Sequence, residues 1–325
     1  MVKHMTEPHK RPYRHPKYKT AYRVKNWREY EQSLRDRGDI TLWISQDALD
    51  AWTPAQTGKR GAQPVYSDTA IETALTLRLL FGLPLRQTEG FFGSVLRLMS
   101  WSLPYPDHTT LSRRHASVVI RRQVDHAPQG PIDLIVDSTG LKVCGQGEWH
   151  SQKHGEKKAR RWKKLHLGVD AQGRIVAAAV TESHEQDPSQ VPELLSQVDG
   201  AIDRFIGDGI FDQAPVYTAI ENHSPGAQVI PPRKDAVLSP MARTAPTQRD
   251  QHVLAIESEG RCAWKRTSGY YAQSQAENAF SRFKRIFGGS LRSKRDECQE
   301  RETALACELL NRMLEWGRPQ FYPVG

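Results

Sequence analysis

The fold is decided by residues 133–140, which read Asp-Leu-Ile-Val-Asp-Ser-Thr-Gly. Three consecutive aliphatic residues followed by small polar residues predict a buried strand that carries Asp137 at its carboxyl end. Residues 204–209, Arg-Phe-Ile-Gly-Asp-Gly, repeat this pattern and end on Asp208. Open α/β sheets bind ligands at the carboxyl ends of their strands, beside glycines that allow close approach. The two aspartates are therefore the first candidates for a functional site.

The sequence around these two strands predicts a mixed α/β sheet. Residues 165–169 and 175–180 are expected to form two strands joined by a tight turn at 170–173, and residues 228–230 form a further strand. Helices are expected over 188–199, 215–222, 272–287 and 297–316. Strands that alternate with helices in this order are typical of a mixed sheet covered by helices.

A helical segment precedes the sheet, over residues 67–125. It contains three helical patterns separated by Pro-containing turns, and Asp107 is a suitable cap for the third helix. That helix carries Arg113 and Arg114, whose side chains can reach bases and phosphates. The order favours a DNA-binding helix-turn-helix variant that uses its third helix for recognition. A small packing domain explains the same pattern equally well.

The positive charge of the chain is concentrated at its N-terminus. The 325 residues have a formal net charge of +9, and residues 1–37 hold 11 basic and 4 acidic side chains. A basic arm on a near-neutral body favours a polyanionic partner, with nucleic acid ahead of a membrane surface, although a solvated tail remains an alternative. The chain has no run of about 20 apolar residues and no secretory signal, so we expect no membrane span and a cytoplasmic location.

A third carboxylate, Glu277, lies early in the helix predicted over residues 272–287. At about 3.6 residues per turn, Tyr270, Gln273, Glu277 and Lys284 lie along one face. Three carboxylates in one place repel each other unless cations neutralise them, and such hard oxygen ligands select Mg²⁺ or Mn²⁺. Two ions about 3.5–4 Å apart suit in-line phosphodiester chemistry. Taken alone, however, Glu277 is also typical of an ordinary surface glutamate.

These motifs together resemble the DDE transposases of bacterial insertion sequences, and most closely the insertion-sequence-five family. The resemblance runs from about residue 18 to residue 313. Each motif is weak by itself, but their order and spacing are specific. The segments that carry the resemblance are Asp137-Ser-Thr-Gly-Leu-Lys142, Trp162-Lys-Lys-Leu-His-Leu167, Gly207-Asp-Gly-Ile-Phe-Asp212 and Tyr270…Glu277…Lys284-Arg-Ile-Phe-Gly-Gly289.

The resemblance implies an RNase H-like catalytic core in which Asp137, Asp208 and Glu277 form the metal-binding triad. It implies two Mg²⁺ (or Mn²⁺) ions in each active site and an irregular insertion at about residues 231–268. The expected activity is metal-dependent cleavage and strand transfer at the terminal inverted repeats of the element. The implied partners are double-stranded DNA, both terminal repeats and target, and a second copy of the chain in a homodimer that joins two ends.

Several side chains near the triad are candidate DNA contacts. The family pattern Tyr-x2-Arg-x3-Glu-x6-Lys is met by Tyr270, Glu277 and Lys284, whereas Gln273 stands where arginine is usual. Glutamine can donate a hydrogen bond to a phosphate but supplies no charge. This departure puts one DNA contact in doubt and leaves the metal triad intact.

Four further residues are hypothetical contacts. Lys142, Lys163 and Lys164 are candidate phosphate ligands, with solvated charge as the alternative. Trp264 lies inside the expected insertion, where it could stack on an unpaired or flipped base at the transposon end. An ordinary packing tryptophan explains its presence more simply.

The resulting domain prediction has five parts. They are a basic arm with a short helix at 1–37, a linker at 38–66, the helical domain at 67–125, the catalytic domain at 131–316 and a tail at 317–325.

Two other functions remain open from the sequence. One is a haloacid-dehalogenase-like metal phosphohydrolase, suggested by Asp208-x3-Asp212, although Thr139 stands where that class needs a second aspartate. The other is a DNA-binding repressor with a decayed catalytic core, which the departure at Gln273 keeps open. Metal-dependent nicking of a terminal-repeat duplex would separate all three functions.

Overall fold

The computed structural model describes most of the chain beyond the N-terminal arm. Residues 1–21 of the predicted arm lie outside the described residues. The described residues are 22–55, 58, 60, 63–120, 130–143, 161–230 and 233–324.

A mixed sheet forms the centre of the described structure, which confirms the predicted mixed α/β sheet and is consistent with an RNase H-like core. The strand order is β4-β3-β2-β5-β6, with β7 pairing beside the far end of β2. Strands β2, β3 and β4 are antiparallel neighbours, whereas β5 and β7 run parallel to β2 and β6 runs parallel to β5. The strands are β2 Ile132–Val143, β3 Trp162–Val169, β4 Ile175–Glu182, β5 Ile202–Ile206, β6 Gln228–Ile230 and β7 Ser290–Leu291.

The tight turn between β3 and β4 forms as predicted from its sequence. Asp170 accepts hydrogen bonds through Oδ1 from the backbone N–H groups of Gln172 and Arg174, at 2.9 and 2.8 Å. Gly173 has a φ of +81°, a left-handed conformation that glycine adopts without steric cost.

Helices precede the sheet and cover both of its faces. Before the sheet come α1 Trp27–Asp36, α2 Ile40–Trp43, α3 Gln46–Asp50, α4 Asp68–Leu80, α5 Leu85–Leu98 and α6 His108–Arg114. After β4 come α7 Val191–Leu195, α8 Ala214–His223, α9 Gln248–Glu259, α10 Arg261–Thr267, α11 Ser274–Phe287 and α12 Asp296–Trp316. Among the described helices, none has the length and apolar character that crossing a bilayer requires.

The predicted linker at 38–66 is wrong as a linker, because it holds two short helices and two buried tryptophans. Trp43 packs edge-on against Trp316 with ring centroids 4.5 Å apart, and its Nε1–H donates to the carbonyl of Arg37. The Nε1–H of Trp52 donates to the carbonyl of Pro104 at 2.7 Å. Burial of these rings ties the segment to the core, although its Pro, Gly and polar residues are typical of a linker.

The predicted tail at 317–325 and irregular insertion at 231–268 also differ from the structure. In the tail, β8 Phe321–Pro323 pairs antiparallel with β1 Tyr22–Val24. In the insertion, residues 248–267 form α9 and α10. Helix α9 begins at a capping box, in which Thr247 and Asp250 each accept a hydrogen bond from the other's backbone N–H. Among the described residues of the insertion, the irregular backbone lies mainly over residues 233–247, before α9.

The helical segment and the sheet share one hydrophobic cluster. Helix α4 is buried along residues 70–79, including the charged residues Glu72 and Arg78. Arg78 lies 3.9 Å from Glu302 of α12, a helix that also packs on β4. The cluster extends from the α4 side chains to Ile135 of β2 and Leu305 of α12. The opposite face of the sheet packs a second cluster that includes α7 and α8.

Candidate active site

The register of two parallel strands brings Asp137 and Asp208 level with each other. Ile135 of β2 pairs with Ile206 of β5, so each aspartate lies two residues further along its own chain. Neighbouring strands are about 4.8 Å apart, which makes these two positions close neighbours. The expectation that Asp137 ends its strand is wrong. Strand β2 continues to Val143 because β3 and then β7 pair with it beyond the end of β5.

The loop after β5 presents Asp208 to solvent. The Asp208 Oδ1 accepts a hydrogen bond from the backbone N–H of Ile210 at 2.9 Å and so caps a short 3₁₀ turn at Gly209–Phe211. Gly207 is needed just before it, because a Cβ there would lie 2.7 Å from the Phe211 ring. Close packing of this ring holds the loop in place beneath the exposed carboxylate.

Helix α11 carries Glu277 across the same part of the sheet. Its buried side chains, which include Ala276, Ala279 and Phe283, face the core, while Glu277 is exposed. Two turns later, the Lys284 Nζ donates a hydrogen bond to the Thr139 Oγ1 of β2 at 2.6 Å. This bond fixes the exposed side of α11 over the polar half of β2.

The three carboxylates act electrostatically on a common location. The pKa of Asp137 is raised to about 6, first by burial and then by the charges of Asp208, Glu277 and Asp187, against a hydrogen bond from the backbone N–H of Ser138. The pKa of Tyr270 is also raised, mainly by burial and then by Asp208, with Asp137 and Glu277 adding to it. Asp137 thus responds to the other two carboxylates of the triad, and Tyr270 responds to all three.

A divalent metal fits this site by the chemistry of its donors. Carboxylate oxygens are hard ligands, and an ion bound among them would relieve the like-charge repulsion that Asp137 experiences. Their side chains are not yet in coordination geometry: within the described ranges, no group of three His, Cys, Asp or Glu side chains is arranged to hold an ion. Asp137, Asp208 and Glu277 are the residues that would hold such an ion.

A fourth acidic residue, Asp187, is part of the same site and was not found from the sequence. It follows β4 in a loop, and its Oδ2 accepts a hydrogen bond from the Ser138 Oγ at 2.8 Å. The signal in the sequence is an Asp-Pro pair before a helix, which ordinarily indicates only a helix start. The tertiary contact with the residue after Asp137 could not be read from that pattern.

The three lysines proposed as phosphate contacts have different environments. Lys163 is buried and paired with Glu182 at 2.6 Å and Asp296 at 3.1 Å, so the prediction that it meets phosphate is wrong in this structure. The Lys164 Nζ is likewise engaged by a carboxylate near the site. Lys142 is exposed, with its Nζ 5.7 Å from the centroid of the Trp162 ring, and is accessible to DNA.

The predicted base-stacking role of Trp264 is wrong in this structure, because the ring is packed in the core. Its exposure is 2%, and it contacts Tyr270 and His252 with ring centroids 5.7 and 5.9 Å away. Its Nε1–H donates to the His252 Nδ1 at 3.1 Å. Its contacts are those of a packing residue that supports Tyr270 from within the insertion.

Gln273 is buried beneath the site instead of facing DNA, since it belongs to a 3₁₀ turn at Tyr270–Gln273 that precedes α11. The predicted common helix face is therefore broken before Glu277. The Gln273 Nε2 donates to the carbonyl of Val136 at 3.3 Å, directly before Asp137. Its amide links the start of α11 to β2.

The two arginines of α6 also differ in their accessibility. Asp107 caps the helix as predicted, through a hydrogen bond of 2.7 Å from the backbone N–H of Thr110. Arg113 is exposed, and its Nη2 lies 3.4 Å from the Thr110 Oγ1. Arg114 instead forms an ion pair of 2.6 Å with Asp68, which joins α6 to the start of α4.

Asp212 has a structural role that explains its place in the sequence motif. Its side chain is fully buried and receives two hydrogen bonds from Arg249, at 2.7 and 3.1 Å. The Tyr217 hydroxyl and the backbone N–H of Arg233 donate to it as well. Asp212 thus anchors the insertion to the loop that carries Asp208.

The fold and the site together define an α/β protein with a cluster of acidic residues on a mixed sheet. A family model described as a transposase DDE domain matches residues 128–312, more than half of the chain, and a second model of the same description matches residues 35–146. The chain belongs to the DDE transposases. It is an enzyme of the polynucleotidyl transferase and endonuclease type. The predicted resemblance is confirmed at this level, and the phosphohydrolase alternative is wrong.

Proposed function

We propose that this transposase binds the terminal inverted repeats of its own insertion sequence, cleaves DNA strands there and joins them to target DNA. The observation that supports this most directly is the meeting of three carboxylates from separate elements. Asp137 and Asp208 are level on neighbouring strands, Glu277 lies on the helix packed across them, and all three charges act on Tyr270. The motif order is that of the insertion-sequence-five family, to which we assign the chain.

In the proposed mechanism, Asp137, Asp208 and Glu277 hold the metal ions. Two Mg²⁺ or Mn²⁺ ions, when bound, would activate the attacking water or 3′-hydroxyl and stabilise the leaving oxygen. Lys284 is exposed and hydrogen-bonded to Thr139 beside the triad, so its ammonium group can also meet a phosphate. The protein residues thus supply both negative ligands for the ions and positive charge for the DNA backbone.

The proposed DNA-binding surface combines the basic arm with accessible cations on the body. Lys142 and Arg113 are exposed, and the arm adds its excess of Lys and Arg. We assign the helical segment at 67–125 to end recognition, in the manner of a helix-turn-helix, although its helices share a core with the catalytic sheet. Two ends must be held together for joining, so we infer a homodimer in the complex with DNA.

The domain division that we propose keeps the predicted segments in their order, but these segments are not separate domains. The arm and its short helix at 1–37 bind DNA, and the segments at 38–66 and 67–125 pack onto the catalytic part at 131–316. Residues 317–325 return to the N-terminal side through the pairing of β8 with β1. Arg249 anchors the insertion at 231–268 to Asp212, four residues after Asp208.

The test is cleavage of a labelled terminal-repeat duplex by the full chain in Mg²⁺. We expect Asp137→Asn, Asp208→Asn and Glu277→Gln each to reduce strand cleavage by at least about a thousandfold, because each removes a charged metal ligand. Binding of the ends, measured by gel shift in Ca²⁺, should persist.

The matched control is Asp203→Asn, an exposed aspartate on β5 away from the triad, which should cleave normally. Normal cleavage by any of the three variants would remove that residue from the site. Binding without any cleavage by the unaltered protein would instead favour the repressor with a decayed core.

A further inference from the structure

Beside Asp137, Lys164 of strand β3 and Asp187 of the loop after β4 form a partly buried charge pair. The Lys164 Nζ donates to the Asp187 Oδ1 at 2.9 Å and to the carbonyl of Glu185 at 2.8 Å. The side chains of Asp187 and Lys164 are 15% and 28% exposed, so the pair is largely shielded from solvent. A charge pair in such a place interacts with its surroundings more strongly than one on the surface.

Ser138 connects this pair directly to the triad. Its backbone N–H donates to the Asp137 Oδ1 at 2.8 Å, and its hydroxyl donates to the Asp187 Oδ2 at 2.8 Å. One residue therefore holds two carboxylates at once. Asp187 also acts electrostatically on Asp137.

The loop that carries Asp187 touches the loop that carries Asp208. Asp187 begins a 3₁₀ turn, Asp187–Gln190, and this turn contacts the 3₁₀ turn at Gly209–Phe211. The pair is thus in contact with two of the three elements that supply the triad.

We propose that Asp187 and Lys164 are positioning residues, which orient Asp137 through Ser138 and set the affinity of the active site for its divalent ions. This inference rests on the proposed function of the triad. The pair is neutral as a whole, so it holds Asp187 close to Asp137 without adding net negative charge. Loss of either partner would leave the other as an uncompensated charge next to the metal site.

The two partners should therefore have opposite effects on metal binding. Without Lys164, the charge of Asp187 adds to the triad and attracts cations; without the charge of Asp187, Lys164 repels them. A purely structural role predicts something else, since loss of either partner would disturb the site and weaken binding in both cases. The sign of the change separates the two explanations.

The experiment measures Mn²⁺ binding to the full chain without DNA, from the electron paramagnetic resonance signal of free Mn²⁺. We expect Lys164→Met to bind Mn²⁺ about fivefold more tightly and Asp187→Asn about fivefold more weakly. The double variant should return close to the original affinity, because it restores neutrality. Ser138→Ala should leave the affinity nearly unchanged but slow strand cleavage at saturating metal, because Asp137 loses its connection to the pair.

Two controls make the result specific. Arg35→Met breaks an exposed pair with Glu31 on α1 and changes the net charge by the same amount as Lys164→Met, yet should not alter Mn²⁺ binding. Thermal unfolding and circular dichroism verify that each variant is folded. Lys164→Gln and Asp187→Ser serve as replacements if either first variant fails this check.

The outcomes distinguish this inference from the proposed function. If Asp137→Asn leaves Mn²⁺ binding intact, the proposed metal site itself fails. If Asp137→Asn abolishes binding but Lys164→Met and Asp187→Asn shift the affinity in the same direction, or not at all, only the role of the pair is refuted.

Discussion

At position 115, a histidine is held without charge inside the protein. His115 is 5% exposed, and its pKa is lowered to about 4, first by burial and then by the nearby charges of Arg78 and Arg295. Because its pKa is about 6.5 when unfolded, the unfolded chain takes up a proton between these values and the folded chain does not. His115 therefore contributes stability above pH 6.5 that is lost as the pH falls towards 4.

We predict that His115→Gln makes the protein less sensitive to mild acid. Between pH 7.5 and pH 5, the free energy of unfolding should fall by about 2 kcal/mol less in the variant than in the original chain. Urea unfolding at both pH values measures this difference. His184→Gln, a change at an exposed histidine, is measured in parallel as the control. An equal loss of stability in His115→Gln and the original chain would rule out a neutral buried His115.

At the residue level, chemistry could be predicted from the sequence more readily than accessibility. Asp137 and Asp208 were identified because two carboxylates each follow an aliphatic strand, at the edge where open α/β sheets bind their ligands. The buried ion pairs of Lys163 could not be identified, because a lysine among basic residues looks solvated until its tertiary partners are known. Asp187 was missed for the same reason, since its significance depends on a contact with a residue 49 positions earlier.

Among the secondary-structure elements, helix α9 of the insertion is held to the loop after β5 by a buried ion pair. Arg249 of α9 binds Asp212 in a bidentate manner, and the Asp212 side chain has no solvent exposure. Removing the arginine would leave a buried carboxylate without its countercharge. We predict that Arg249→Met lowers the free energy of unfolding by about 3 kcal/mol.

This change should also loosen the insertion locally. Limited proteolysis should cut the variant faster within residues 233–247, the irregular part that Arg249 ties down through the Val237 carbonyl. Arg243→Met, at an exposed arginine in the same segment, is the matched control and should behave like the original chain. Equal stability and equal proteolysis in the two variants would mean that the Asp212 pair does not anchor the insertion.

The elements that could be predicted are those with a strong local pattern. Strand β6 and helix α8 follow their expected ranges closely, because apolar periodicity and turn residues bound them on both sides. Helices α9 and α10 were not expected, since α9 is stabilised at its start by a capping box and α10 by the packing of Trp264. Because residues 231–268 contain few apolar residues, neither helix could be predicted from apolar periodicity.

For the whole molecule, the burial of α4 means that the helical segment and the catalytic sheet share one hydrophobic core. Its residues 70–79 pack against α12 and the cluster that includes Ile135 of the catalytic strand β2. A stripe of apolar residues predicts one buried face, but it does not indicate that polar positions such as Glu72 and Arg78 are buried too. The order of the helical segment and the catalytic sheet could therefore be predicted from the sequence, but the extent of their shared core could not.

The charge distribution yields the last prediction, which concerns the arm. Residues 1–21 contain six Lys and Arg and one Glu, whereas the body starts at β1, which pairs with β8. A chain lacking residues 2–21 keeps this pairing, including the hydrogen bond of 2.6 Å from the backbone N–H of Lys25 to the carbonyl of Gln320. It should bind terminal-repeat DNA more weakly and with a flatter dependence on salt, because fewer counterions are released.

The expected change in salt dependence can be stated per contact. Each phosphate contact contributes about 0.9 to the slope of log K against log salt, so loss of four contacts would reduce the slope by about 3.6. A variant with the six basic residues of the arm changed to glutamine should match the deletion, while an arm of the same composition in scrambled order should keep most of the slope. An unchanged slope in both the deletion and the glutamine variant would mean that the arm touches no phosphate. DNA would then have to be held by cations of the body, of which Lys142, Arg113 and Lys284 are exposed.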